Sequence, residues 1–124
     1  MILVDSSGWL EFFGAGPLAD EYADYLSNPE QVVTPTIVLY EVYRWIKRQR
    51  TEEDALVATA QMQKTRIEPL TETVALTAAD LGLEHGLAMA DAIVYATAFL
   101  RSTELVTSDR DFADLPGVTY IEKA

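Results

Sequence analysis

The feature that most restricts the fold is a series of short apolar runs, separated by longer segments with the 3.6-residue periodicity of helices. Short β-type runs that alternate with helical segments favour a parallel sheet covered by helices. We therefore predict a three-layer α/β/α sandwich with a mainly parallel central sheet, in a single domain covering residues 1–124. The predicted strands lie at residues 1–4, 32–33, 65–70, 104–107 and 118–121.

Carboxylates stand at the ends of two of these runs and within two apolar helical segments. Asp5 follows the first run directly, and Asp109 and Asp111 follow the fourth. Glu41 lies in a helical segment that we expect to be largely buried, and Asp91 opens a run without any charge. Ligands of parallel sheets collect beyond the carboxyl ends of the strands. The acidic side chains can therefore converge at that edge.

A cluster of carboxylates needs a compensating cation. Mutual repulsion and burial raise their pKa values and destabilise the fold unless a positive charge lies among them. The chain has no cysteine and one histidine, so the ligands would be oxygen atoms, which suit Mg²⁺ or Mn²⁺ better than Zn²⁺. Such ions can activate water against a phosphodiester. The sequence therefore predicts metal-assisted hydrolysis without a covalent nucleophile.

Each acid also has an ordinary structural explanation when it is taken alone. Asp5 can cap the helix that follows it, and so can Ser6 or Ser7. Glu41 can be solvated or pair with Arg44. The acid in the first turn of the uncharged helix can face that helix's amides, and the pair after the fourth strand can be turn residues. The joint pattern is more informative than any single member.

The formal charge of −11 argues against binding of nucleic acid through a broad basic surface, and we expect no direct DNA binding by this chain. Its one concentrated basic group is Arg44, Lys47, Arg48 and Arg50. The first three are candidates for contact with an RNA backbone, although they can equally serve helix solubility. Bound metal would reverse the local sign of an acidic site, so the negative charge does not exclude a nuclease.

The remaining conspicuous side chains have simpler interpretations. His85 lies at a predicted helix end, where a cation interacts well with the helix dipole. We assign Trp9, Trp45 and the tyrosines to the core or a dimer surface in preference to base stacking. No apolar run is long enough to span a membrane, and the absence of cysteine suits a reducing compartment. We therefore expect a cytoplasmic protein without a membrane partner.

Four motifs, in this order, resemble the PIN domain family, and within it the VapC-type ribonuclease toxins of VapBC toxin–antitoxin pairs. The resemblance covers the whole chain, and the four motifs together are specific although each alone is weak. They are Ile2-Leu3-Val4-Asp5-Ser6-Ser7, Thr34-Pro35 leading to Glu41, Leu87-Ala88-Met89-Ala90-Asp91-Ala92, and Leu105-Val106-Thr107-Ser108-Asp109-Arg110-Asp111-Phe112.

The resemblance implies a PIN-like sandwich and gives the acids catalytic roles. Asp5 and Asp91 would be the strongest ligands of Mg²⁺ or Mn²⁺. Asp109 would bind the metal directly or through water, and Glu41 would help to position the metal or the attacking water. Together these four residues would form the catalytic quartet.

Secondary site residues and partners also follow from the resemblance. Thr107 matches the family's hydroxyl near the site, and Asp111 is a weaker member that can instead stabilise its loop. The implied activity is endoribonucleolytic cleavage of structured RNA such as tRNA or rRNA. The implied partners are a cognate VapB-type antitoxin, whose basic tail would enter the acidic groove, and a second copy of the chain in a homodimer.

Other functional classes fit less well. A receiver domain would need an acidic pair after the first strand and a lysine near the last strands, and a haloacid-dehalogenase-type phosphatase would need an acid where Ser7 stands. The serious alternative is a catalytically inactive PIN-like protein that acts only as a binding or scaffold partner. Four acids held together without a cation would have no purpose in such a protein.

Overall fold

The computed structural model of the chain describes residues 1–123, which form five strands and six α-helices. The strands are β1 Ile2–Val4, β2 Val32–Pro35, β3 Arg66–Glu68, β4 Glu104–Thr107 and β5 Val118–Tyr120. The helices are α1 Ser6–Phe13, α2 Ala19–Tyr25, α3 Thr36–Gln49, α4 Glu52–Met62, α5 Glu72–His85 and α6 Met89–Arg101, with 3₁₀ turns at Pro29–Gln31 and Arg110–Phe112.

The strands form one sheet in the order β3-β2-β1-β4-β5, and all of the pairings between them are parallel. The predicted strand 65–70 forms only as Arg66–Glu68 at the edge of the sheet, and Pro69 follows its end. In the centre of the sheet, β1 and β4 are hydrogen-bonded neighbours with Val4 opposite Val106. Their carboxyl ends therefore lie side by side, and the segments that follow them leave the sheet at the same edge.

The direction in which the chain crosses the sheet distributes the helices over both faces. The chain moves outward from β1 through β2 to β3, and then returns past β1 to β4. Because crossovers between parallel strands are nearly always right-handed, α1 to α4 cover one face and the α5–α6 pair covers the other. The predicted three-layer α/β/α sandwich is thereby confirmed.

Helix boundaries follow the capping signals in the sequence. The Thr51 hydroxyl accepts a hydrogen bond from the Asp54 amide at 3.0 Å, and the Thr71 hydroxyl accepts one from the Val74 amide at 3.2 Å. The left-handed Gly86, with φ of 68°, ends α5. Among residues 1–123, no helix is both long and apolar enough to cross a bilayer.

Helix α3 is less buried than its apolar sequence suggests, so the prediction of a largely buried helix is wrong. Its buried residues are Val38, Val42 and Ile46, whereas Tyr40 and Trp45 are exposed. The three buried positions recur every four residues and form a single stripe toward the core. Aromatic residues outside that stripe stay in contact with solvent.

The approach of α1 to the sheet depends on Gly8. A Cβ atom at this position would lie 2.6 Å from Val4 Cγ1 and 2.8 Å from Tyr22 Cδ1. Only glycine leaves room for the fully buried Tyr22 ring between α1 and its neighbours. This packing brings the Tyr22 hydroxyl to the loop that follows β4.

Candidate metal centre

Asp5 leaves the end of β1 and is held by hydrogen bonds on both carboxylate oxygens. Oδ1 accepts from the Ser7 hydroxyl at 2.6 Å and from the Gly8 amide at 3.4 Å, and Oδ2 accepts from the Thr107 hydroxyl at 2.8 Å. Asp5 is thus the cap of α1, and the interpretation of Ser6 or Ser7 as that cap is wrong. Helix α1 begins at Ser6, directly after Asp5, so the Asp5 carboxylate reaches the Gly8 amide in the first turn.

The environment of Asp5 disfavours its charged form. The side chain is almost completely buried, and this burial raises the pKa of Asp5 to about 6, although the hydrogen bonds from Ser7 and Thr107 act in the opposite direction. The negative charge of Asp109 raises the pKa further. A positive charge at this place would relieve both effects.

A second group of acids lies closer together. One carboxylate oxygen from each of Asp91, Asp109 and Asp111 lies within 4.8 Å of the other two. Burial raises the pKa of Asp91 to about 6, and the charges of Asp109 and Asp111 add to the effect. The Asp111 amide also donates to Asp109 Oδ1 at 2.9 Å, which fixes the turn after β4. The Asp109 side chain therefore stabilises this turn, and Asp111 belongs to the acidic group, while a role of the Asp111 carboxylate in the loop stays a prediction.

Glu41 on α3 is half-buried beside the same group. Burial, followed by the negative charges of Asp5 and Asp109, raises the pKa of Glu41, and hydrogen bonding from Ser6 opposes the shift. The alternative pairing of Glu41 with Arg44 is not formed within residues 1–123. All of the acids singled out from the sequence therefore lie within electrostatic reach of one another at the carboxyl edge of the sheet.

The donor set fits a hard divalent ion. Among the described residues, none of these acids forms an ion pair with Lys, Arg or His, because the basic partners in the ion pairs of residues 1–123 are Lys47, His85, Arg101 and Arg110, which pair with other acids. Clustered carboxylate oxygens without a protein cation are the ligands that Mg²⁺ and Mn²⁺ prefer. The uncompensated charge and the raised pKa values both favour a bound cation.

Comparison with known proteins shows the family to which the chain is related. A profile of the PIN domain matches residues 2–118. The chain belongs to the PIN domain family. No sequence among curated proteins matches this PIN domain.

Solved structures with the same fold include several toxin–antitoxin proteins. A toxin–antitoxin complex from Klebsiella pneumoniae superposes with a TM-score of 0.84 at 27% identity, covering 99% of this chain and 100% of that chain. The Mycobacterium tuberculosis toxin VapC20, described as cleaving the sarcin-ricin loop, gives a TM-score of 0.79 at 23% identity, with coverage of 99% and 98%. A DNA-bound VapBC from Salmonella typhimurium gives 0.77 at 15% identity, with 98% of each chain covered. The resemblance to PIN-domain VapC proteins inferred from the four motifs is confirmed.

The basic residues of α3 in this PIN domain have varied surroundings. Lys47 pairs with Glu52 at 3.2 Å and lies over the Tyr43 ring, 5.5 Å from its centroid. Arg44 and Arg48 are exposed. A contact of these three side chains with RNA stays a prediction.

Sequence analysis of this PIN domain missed a hydroxyl network around Asp5. The Ser7 hydroxyl accepts from the Ser108 amide at 3.0 Å, and the Ser108 hydroxyl lies 2.6 Å from the Tyr22 hydroxyl. Serines directly after Asp5 and Thr107 were a signal for this network, because hydroxyls beside a buried carboxylate can donate to it. Tyr22 gave no such signal, since its helix is remote in sequence from the β4 loop.

Proposed function

We propose that this PIN domain is a Mg²⁺- or Mn²⁺-dependent endoribonuclease that cleaves structured RNA, such as tRNA or rRNA, as the toxin of a type II toxin–antitoxin pair. The observation that carries the proposal is the group of uncompensated carboxylates at the carboxyl edge of the sheet. The similarity to toxin–antitoxin structures supports the biological role. The cytoplasmic location expected from the sequence is part of this proposal.

The roles of the acids follow from their surroundings. Asp91, Asp109 and Asp111 offer oxygen atoms close enough to share one ion, and Asp5 is fixed beside them by Thr107 and Ser7. A bound divalent ion would supply charge neutralisation and activation of water. Glu41 is less buried than Asp5, and its raised pKa suits acceptance of a proton from the attacking water.

Cleavage of total cellular RNA by the purified protein tests the activity. We expect discrete fragments with Mg²⁺ or Mn²⁺, and none with EDTA or in Asp91→Asn. The matched control is Asp80→Asn, which makes the same chemical change at an exposed position of α5 and should cleave normally. If the fragments persist in EDTA, the proposal that cleavage depends on a metal ion is wrong.

A thermal shift separates the nuclease from the scaffold alternative. A ligand that binds only the folded state raises the melting temperature, so we expect millimolar Mn²⁺ to stabilise the wild type and Asp80→Asn alike. Asp91→Asn should respond much less. A wild-type protein that shows neither a shift nor cleavage would favour the inactive scaffold.

We also propose that the chain forms the homodimer implied by the family resemblance, through a face on the α5–α6 layer. A cleft of about 580 Å³ there has no charged side chain among its lining residues, and at its rim Leu83 and Met89 are 87% and 77% exposed. In a chain with a net charge of −11, a cleft lined by uncharged side chains is a place where a second copy meets little repulsion. Leu83→Glu should convert a dimer into a monomer in sedimentation experiments, and an unchanged mass would exclude this face.

A further inference from the structure

A second feature of the acidic edge is an open cleft that leads away from it. The cleft has a volume of about 460 Å³, and its lining includes Asp5 and Asp109. Other residues of the same lining are Glu11, Trp45, Arg50 and Lys123. An indole and two cations therefore share one surface depression with the candidate metal centre.

Trp45 is open to solvent and lines this cleft. It is 44% exposed, whereas the chain's other tryptophan, Trp9, is 3% exposed and lies in the core. Tryptophan has a large apolar surface whose exposure is costly unless a partner covers it. Of the two places predicted for Trp45, the core is therefore wrong and the dimer surface stays a prediction, while its position in the cleft directs attention to a ligand.

Within residues 1–123, the two cations that share the cleft with Trp45 form no direct ion pair, although the acids Asp5, Glu11 and Asp109 line the same cleft. Arg50 and Lys123 are exposed cations in a chain with 20 acidic and only 9 basic residues. A ligand that carries negative charge would interact favourably with them.

A small, mainly apolar slot, with Asp54 as its one acid, adjoins the cleft at Trp45. Trp45 and Arg50 line both depressions, and the slot adds Phe13, Ile46 and Val57. Its volume of about 170 Å³ is below the roughly 300 Å³ at which pockets for drug-sized ligands begin. A flat ring fits a space of this size and chemistry better than a bulky group.

We propose that Trp45 is a stacking platform for an unpaired base of the RNA strand that enters the acidic centre, with Arg50 and Lys123 contacting phosphates on either side of that base. Single-stranded RNA combines the two chemistries that this cleft offers, because bases stack on aromatic rings and phosphates bind cations. The inference rests on the proposed ribonuclease function and adds a binding site for the substrate. It also differs from the RNA contact expected at Arg44, Lys47 and Arg48, because none of these three side chains lines the cleft.

RNA binding measured in an Asp91→Asn background, which should keep the RNA intact, tests the proposal. The probe is a fluorescein-labelled 12-nucleotide single-stranded RNA of mixed sequence, and inorganic polyphosphate serves as a ligand with phosphates but no bases. Trp45→Leu should weaken RNA binding by about fivefold to 150-fold and leave polyphosphate binding unchanged. Arg50→Gln and Lys123→Gln should weaken the binding of both RNA and polyphosphate, and should reduce the salt dependence of that binding.

Two further variants provide the controls. Trp45→Phe keeps an aromatic ring and should retain most of the RNA affinity. Tyr40→Leu removes an aromatic side chain that is 59% exposed on the same helix but is absent from the lining of both depressions, so RNA affinity should not change. RNA should also quench the tryptophan fluorescence of the parent protein but not that of Trp45→Phe, which retains only the buried Trp9.

The outcomes separate this proposal from the proposed function. Equal RNA affinities of Trp45→Leu and Tyr40→Leu, with equal melting temperatures, would overturn the platform and assign the cleft to a protein partner. Failure of the parent protein to bind the RNA would overturn it as well. Stacking at Trp45 in a protein with an intact Asp91 that cleaves no RNA would support the platform and contradict the nuclease.

Discussion

The Thr107 hydroxyl joins the two central strand ends by donating to Asp5 Oδ2 at 2.8 Å. The Thr107 hydroxyl oxygen also accepts a hydrogen bond from the Asp109 amide at 2.9 Å. Thr107 is completely buried, so water cannot replace either bond. One hydroxyl therefore sets the position of two acids that lie more than one hundred residues apart in the sequence.

Replacement of Thr107 by valine should damage the site while preserving the volume of the side chain. The change leaves the Asp109 amide and an Asp5 oxygen without their partner, which costs about 1–3 kcal/mol in unfolding free energy. The lost donor should also raise the pKa of Asp5, since this hydrogen bond lowers it. The pH profile of cleavage should then move to higher pH.

Thr107→Ser is the control because it keeps the hydroxyl and loses only a methyl group. We expect it to retain the wild-type pH profile and to lose only about 0.8 kcal/mol of stability. Denaturant unfolding and pH–rate curves of the two variants measure both effects. Identical pH profiles for Val and Ser would show that the hydroxyl does not act on Asp5.

The raised pKa of Asp91 gives a stability prediction with a definite sign in metal-free protein. An ordinary aspartate titrates near 3.9, and in the folded chain the pKa of Asp91 is about 6. The folded state thus binds the proton more tightly, so the destabilising charge is fully present above pH 6 and is relieved as pH falls through 6 toward 4. In EDTA, Asp91→Asn should melt at a higher temperature than the wild type at pH 7.5 and lose this advantage by pH 4.

Two controls accompany that comparison. Asp80→Asn makes the same chemical change at an exposed position of α5 and is the first control. Added Mn²⁺ should reverse the order at pH 7.5, because the wild type gains a ligand that Asp91→Asn has lost. If Asp91→Asn is less stable than the wild type at pH 7.5 in EDTA, the repulsion assigned to Asp91 is absent.

Gly8→Ala should be destabilising even though alanine normally favours a helix by about 1 kcal/mol over glycine. The added Cβ would meet Val4 and the Tyr22 ring at 2.6 and 2.8 Å, and overpacking of this kind costs about 1–3 kcal/mol. Gly82→Ala is the comparison, since its Cβ would meet Ala92 Cβ at 3.2 Å. Urea unfolding should show a larger loss for Gly8→Ala, and a net gain at Gly8 would contradict the packing described for α1.

The proposed antitoxin tail gives a charge-based prediction. If a basic segment enters the acidic groove, the double variant Asp5→Asn and Asp91→Asn should bind the cognate antitoxin more weakly than the wild type, most clearly at low salt. The double variant Asp20→Asn and Asp80→Asn has the same net charge but changes exposed positions outside the groove. Calorimetry that finds equal losses for the two double variants would attribute the effect to net charge alone.

The sequence by itself determined the layers, the strands and the location of the acids. Apolar runs identified β1 and β4, and the threonine caps set the starts of α4 and α5, because these signals act between residues close in the chain. Parallel strands then required Asp5 and Asp109 to emerge at a common edge. The family motifs pointed to the same residues.

Only the tertiary structure decided which side chains contact one another across that edge. It brought Asp111 into a group with Asp91 and Asp109, connected Tyr22 to Ser108, and left Trp45 in an open cleft. Such contacts depend on the rotation of each helix about its axis and on its packing against the sheet. Amino-acid composition does not determine either of these. A helix that is apolar over most of its surface has several faces that could be buried, and packing against the sheet selects one of them.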